Sequence, residues 1–363
     1  MNNNKNSLLF MVAAYSTGIV YSSSQIYTSD INEQKELFKS FKTTHAKTYT
    51  SVEEEDKRFG YFVNNLKEID ELMSNEEKRG GSATFGITSM SDMSYDEFVG
   101  MTDEKDDDAD ENTSLRGLGA ARGGAGRGGN GCNPDASWNK DWVGELVSPN
   151  ILDMHSCTRG GWAFAAADQI SADIARGGSA TIDQVGSFSA QRLLDCATGN
   201  ACSSGKPKKG YKYARDDGVD GVSSYPFVST NGYGHSCSSD SPDSALTTAT
   251  VSDIHSELKH DEACMAVHVQ EIGPVSVCIS IGYGYIHYTG GILSDCGSFS
   301  TRCMQVVGVL PNSNANVGYW KLKNYFGSNW GEGGYMRIAY GNNNCDITDR
   351  PKYTTATSNR LQG

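Results

Sequence analysis

The chain predicts an α+β fold with its helices and strands kept apart, and three observations carry that prediction. Up to about residue 196 the apolar residues recur at steps of three and four, the period of a helix with one buried face. Phe59, Phe62, Leu66, Ile69 and Met73 form one such stripe, and Ala163, Ala166, Ile170 and Ile174 form another. Beyond about residue 250, one helix near 260–271 aside, short apolar runs alternate with Gly/Asn-rich turns, which is the pattern of strands. Finally, the two patterns follow one another instead of alternating, as in folds that place helices and sheet in separate layers.

Taken in order, the first elements are not part of the core. Met1 to Asn6 carry one lysine, Leu8 to Tyr15 are mostly apolar, and residues 22–24 are serines. This is the layout of a secretory signal peptide over 1–24. Elsewhere no run approaches the roughly 18–20 apolar residues of a membrane span. Export would make the ten cysteines plausible disulfide partners. Residues 33–100 read as a small helical domain, its first helix carrying Leu37, Phe38 and Phe41. Residues 101–134 cannot bury a core: 103–111 are nearly all acidic and 116–131 almost entirely Gly, Arg and Ala, so a linker is expected. Asn112-Thr113-Ser114 is a glycosylation sequon inside it. Arg-Gly-Gly repeats also occur in RNA-binding tails, but three arginines beside seven acids in a chain of net charge −13 leave no footprint for nucleic acid.

The large domain is expected over 135–363. Trp162 to Arg176 is a helix ended by Gly177-Gly178, and 187–196 form a second short helix. Strands follow at Pro274 to Ile279, Met304 to Val309, Tyr319 to Lys323 and Tyr335 to Tyr340. No Cys-x2-Cys or His-x3-His spacing suggests a metal site, and no cofactor is expected.

Several motifs then resemble, in order, those of papain-like cysteine proteases of the cathepsin L type. Glu54, Arg58, Phe62, Asn65 and Ile69 fall at the spacing of that family's inhibitory propeptide, with Met73 where the pattern ends in Asn. Gly86-Ile87-Thr88-Ser89-Met90-Ser91-Asp92 resembles the propeptide's Gly-x-Asn-x-Phe-x-Asp stretch, with two positions changed. Downstream, Leu193-Leu194-Asp195-Cys196, Cys202-Ser203-Ser204-Gly205, Tyr225-Pro226-Phe227, Gly273-Pro274-Val275-Ser276-Val277 and Trp330-Gly331-Glu332 with Gly334-Tyr335 resemble the mature enzyme. The resemblance covers roughly 35–350. It implies a two-lobed fold, a helical lobe plus a β-barrel-like lobe, preceded by the small helical propeptide domain. It further implies the disulfides Cys157–Cys202, Cys196–Cys237 and Cys296–Cys345. Of the remaining cysteines, Cys264 and Cys278 are expected to be buried packing residues. Cys132 is a free thiol or pairs with another chain.

The same resemblance places the catalytic positions, and they do not hold catalytic residues. The nucleophile belongs directly before the tryptophan of the helix start. Ser156-Cys157-Thr158-Arg159-Gly160-Gly161-Trp162 has Gly161 there. No Cys or Ser lies between 158 and 162, and the turn's hydroxyl is Thr158. The histidine position, fixed from Cys296 on one side and Gly308 on the other, is Arg302. A guanidinium cannot act as a general base. His268 and His287 lie elsewhere, as surface or strand residues. The oxyanion glutamine position is Met154, whose thioether donates nothing. Asn324 alone keeps its type, and it is expected to accept a hydrogen bond from Arg302. Ser204, Gly205 and Lys206, with Phe326 and Trp330, are implied to line the peptide-binding side.

Two readings of function follow. In the first, the chain is a catalytically inactive homologue acting in binding or assembly, with its own propeptide across the cleft and an extended peptide or acidic protein as a further partner. Its compartment would be extracellular or a lysosome- or vacuole-like vesicle. In the alternative, an active endopeptidase uses a displaced nucleophile such as Cys303, its thiolate stabilised by the neighbouring Arg302.

Overall fold

The computed structural model of the chain describes residues 26–101, 132, 139–178, 180–198, 202–238, 248–310 and 318–359. The expected signal peptide, the Asn112 sequon and nearly all of the linker lie outside the described residues.

The prosegment (26–101) is built on a helical hairpin. α1 (Ile31–Thr44) starts at Asp30, whose carboxylate accepts from the amides of Asn32 and Glu33. α2 (Val52–Arg79) is capped by Ser51, carries Glu53, Glu54 and Glu55 in its first turn and Lys78 and Arg79 in its last. Those signs complement the helix dipole. It ends at Gly80, whose φ of 64° is the left-handed cap that glycine supplies without strain. Phe38, Phe41, Phe62 and Leu66 make the hairpin's own small core. The chain then runs through β1 (Thr84–Phe85) to α3 (Tyr95–Val99), held by a Ser94/Glu97 capping box.

The large domain begins with β2 (Lys140–Asp141). Its central helix, α4 (Gly161–Gly177), is buried on every face from Gly161 to Ala175. The sequence marked only one apolar stripe here. The rest is closed off because α4 lies between the two lobes, and its polar residues are paired. Asp168 meets the Lys323 ammonium at 2.9 Å, and Asp173 accepts from the amide and hydroxyl of Thr354. Burial lifts the Asp173 carboxyl to about 6, against the pull of Arg176. The helical lobe is completed by α5 (Ile182–Val185), α6 (Ala190–Cys196) and α7 (Pro207–Asp216).

Two sheets follow. β3 (Val219–Asp220) and β4 (Thr248–His255) join β11 (Tyr353–Ser358) in a three-stranded sheet. α8 (Glu262–Glu271) precedes the second lobe. There, β5 (Val275–Ile281), β6 (Tyr288–Gly290), β7 (Ile292–Leu293), β8 (Ser300–Leu310), β9 (Tyr319–Lys323) and β10 (Tyr335–Ala339) follow in turn. The six-stranded sheet runs β2-β8-β9-β10-β7, with β5 on the other side of β8. β5 and nearly all of β8 are buried on both faces, although β5 carries Ser276 and Ser280 and β8 carries Ser300, Thr301, Arg302 and Gln305. β6 pairs with β1 of the prosegment, so the two parts share a sheet edge.

Candidate active site

The cleft floor is the turn before α4. Met154 is fully buried and pinned by its amide to the Tyr325 carbonyl at 3.0 Å. The Cys157 amide donates to Met154 O and the Gly160 amide to Cys157 O, both at 2.9 Å. Gly160 is the N-cap and makes no side-chain cap bond, and Gly161 is the first helical residue. The Trp162 indole donates to Ser203 O at 3.0 Å. A helix N-terminus of this kind favours a thiolate, but the residue set there has no side chain.

Facing it from β8 is Arg302, 1% exposed. Its Nη1 donates to Thr158 O at 2.5 Å and to Met101 O at 3.0 Å. Its Nη2 lies 3.2 Å from the Met154 sulfur, and the guanidinium stacks 4.6 Å from the Phe326 ring centroid. The structure therefore brings Met154, Arg302 and Phe326 together. It does not bring Asn324 to Arg302. Asn324 is wholly buried, and neither its amide nitrogen nor its oxygen has a hydrogen-bond partner among the described residues. The expected Arg302-to-Asn324 bond is replaced by bonds to backbone carbonyls, which the long fork of arginine reaches and the short asparagine does not.

The residues expected on the peptide-binding side have mixed fates. Ser204 is half-buried and Lys206, also half-buried, forms the N-cap of α7. Gly205 lies flat on the Trp162 ring, where a Cβ would come within 2.4 Å of the indole. Trp330 is fully buried, its ring packed on Tyr285 at 5.0 Å and Tyr288 at 5.5 Å. It is a core residue and offers no surface to a peptide. Phe326 is 7% exposed beneath the arginine.

Sulfur chemistry differs from expectation at four cysteines. Besides Cys157–Cys202, Cys196–Cys237 and Cys296–Cys345, the chain joins Cys132 to Cys264 and Cys278 to Cys303. Cys132 is thus neither free nor shared with another chain, and Cys264 and Cys278 are not lone packing residues. Cys303 stands directly across from Cys278 in the β5–β8 register, which brings the two thiols face to face. Its sulfur is committed there, which removes Cys303 as a displaced nucleophile.

His268 and His287 are buried, not on the surface. His287 closes a 3₁₀ turn (Tyr283–His287), and burial pushes its imidazole down to about 3. Burial lowers His268, on α8, to about 4, helped by the Arg176 charge. Prosegment residues cover His287, which no motif in the chain indicates: the Gly86 amide donates to its carbonyl at 2.9 Å, and Ser91 Oγ lies 3.4 Å from Nδ1.

The prosegment crosses this site. Asn65 of α2 donates to the carbonyls of Ser91 and Met93 and accepts from the Tyr283 hydroxyl. Arg58 pairs with Glu97 at 2.8 Å, and the Thr88 hydroxyl donates to Ile286 O at 2.6 Å. Beyond α3, the Gly100 carbonyl accepts from Arg159 Nε and Met101 reaches Arg302. Arg159 was not marked by the sequence motifs. Its position on the nucleophile turn was the only available hint.

The papain family cysteine protease pattern matches residues 134–355, and the cathepsin propeptide inhibitor domain (I29) matches residues 38–98. Cysteine proteinase 2 of Leishmania pifanoi is 29% identical over 325 residues, 87% of this chain and 68% of that protein. The cathepsin L-like proteinase of Phaedon cochleariae is 28% identical over 310 residues, 84% of this chain and 88% of that one. Among solved structures, digestive procathepsin L 3 from the larval midgut of Tenebrio molitor superposes with a TM-score of 0.70 at 28% identity, covering 88% of this chain and 98% of that one. The chain belongs to the papain family of cysteine proteases and carries the cathepsin-type prosegment ahead of the protease domain.

Proposed function

We propose that this chain is a non-catalytic member of its family, acting through binding or assembly instead of peptide hydrolysis. The observation that carries the reading is the state of its sulfur. All ten cysteines are consumed in five disulfides and no free cysteine remains. Thiol catalysis needs a thiolate beside a positioned base and an oxyanion donor. Gly161 stands where the thiol would be, Arg302 where the base would be and Met154 where the amide donor would be. Replacing members of such a set removes most of the rate enhancement. The disulfides also support passage through an oxidising, secretory-type compartment. The edge at Ser204-Gly205, followed by Lys206, remains a surface on which an extended acidic chain could pair.

Titration of unreduced, denatured protein with a thiol reagent is expected to find no thiol, and a thiol-directed active-site probe should label nothing in residues 155–165. The single variant Gly161→Cys should stay inactive on a fluorogenic peptide, because Arg302 supplies no base. Labelling of that turn in the native protein, or hydrolysis by the single variant, would overturn the reading.

A further inference from the structure

We propose that Arg302, aided by Arg159, has become the latch of the prosegment, and that residues 26–101 stay bound to the large domain as a lasting subunit after the connecting residues are cut. The contact lies at the C-terminal end of α3. Gly100 and Met101 follow its last turn, where backbone carbonyls have no partner within the helix and where cations are favoured. Arg159 Nε takes the Gly100 carbonyl and Arg302 Nη1 takes the Met101 carbonyl at 3.0 Å. The same Arg302 nitrogen also holds Thr158 O at 2.5 Å, on the turn that leads into α4. One guanidinium therefore ties the prosegment to the helix start from its place on β8. The planar fork of five N–H donors makes this possible, and an imidazole in the same position has at most two.

The seat around the latch is closed. Phe98 is 1% and Met101 6% exposed, and the Phe98 and Tyr95 rings each meet Tyr283 edge-on at 5.4 Å. Hydrogen bonds to charged groups contribute more than neutral ones. All five disulfides lie within residues 132–345. After cleavage in 102–131, noncovalent contacts alone decide whether the prosegment stays. The inference concerns what fills the cleft and does not depend on the loss of chemistry.

The test begins with the full chain carrying a sequence-specific protease site inserted near residue 120. After cutting at neutral pH, size exclusion at micromolar concentration reports whether the prosegment fragment co-elutes, and a displacement titration gives its dissociation constant. The wild-type fragment is expected to co-elute. Arg302→His should raise the dissociation constant by about 10- to 100-fold and Arg159→Ala by roughly tenfold, the range that one lost charge-assisted hydrogen bond implies. Melting of the uncut chains checks folding. Should Arg302→His fail to fold, Arg159→Ala, on the surface, decides. Free elution of the fragment from cut wild type, or an unchanged dissociation constant in the folded variants, overturns the latch. Neither result would alter the thiol titration that tests the loss of chemistry.

Discussion

Asn65 and Asn324 are both buried asparagines, 2% and 0% exposed, and they sit in opposite circumstances. Asn65, on α2, uses both ends of its amide, giving to the carbonyls of Ser91 and Met93 and receiving from Tyr283. Asn324, at the base of the cleft, has no hydrogen-bond partner for either atom among the described residues. The first lies in the docking face between prosegment and large domain, and the second beneath the turn that leads into α4. The docking face keeps its polar groups in use, as a buried interface requires. At Asn324, neither end of the side-chain amide is used among the described residues. Arg302 has turned toward Met101 and Thr158 instead. The contrast points to a molecule whose remaining constraint is holding its parts together.

That contrast can be attacked at several points. The largest effect is expected from Phe62→Ala, which empties the aromatic core that Phe62 shares with Phe38 and Phe41. A loss of about 3–5 kcal/mol, read by hydrogen exchange in α1 and α2, is the expected outcome. Next comes Asn65→Leu, which takes the amide donor from the Ser91 carbonyl while Tyr283 and Met93 keep the hydrogen bond between them, and should cost about 1–3 kcal/mol in denaturant unfolding. An unchanged midpoint would mean the docking face is not held as described.

Acid should act through His287. Its folded pKa, about 3, lies below the ordinary 6.5 because of burial, so the folded chain binds fewer protons than the unfolded chain between those values. Its contribution is fully present above pH 6.5 and is lost as pH falls toward 3, by about 1.4 kcal/mol per unit. The titratable Tyr283 faces it edge-on at 5.8 Å. Asp173 works in the opposite sense. Raised to about 6, it favours the folded state as pH falls through that range. The slope of stability against pH between 6.5 and 4.5 should therefore decrease in His287→Leu relative to wild type, and an unaltered slope would remove His287 from the account. The smallest effect, and the one of reversed sign, belongs to Asn324→Leu. Replacing an unpartnered buried amide by an apolar group of similar size should be neutral or stabilise by about 1 kcal/mol. A marked destabilisation would show that Asn324 still has a structural partner.

The fold was legible to the extent that it rests on local pattern. The periodic stripe of α2, the helix after Gly161 and the runs that became β5, β8, β9 and β10 are written in neighbouring residues. The absence of a side chain at position 161 needed no structure either. Other features joined residues far apart. Cys132 and Cys264 are 132 positions apart, and only the folded chain brings them together. Cys278 meets Cys303 because the strand register sets Cys278 and Ile279 opposite Cys303 and Arg302, which spacing along the chain cannot specify. Trp330, assigned to the cleft by position in a motif, is enclosed by Tyr285 and Tyr288 once those strands fold.

By itself, the sequence determined which chemical groups exist at the turn before Trp162 and on the strand after Cys296: a thioether at Met154, no side chain at Gly161 and a guanidinium at Arg302. Identity is fixed by the chain alone. Tertiary structure decided what those groups do instead, because a hydrogen bond depends on what lies within about 3 Å and the carbonyl that Arg302 finds belongs to Met101, some two hundred residues earlier in the chain.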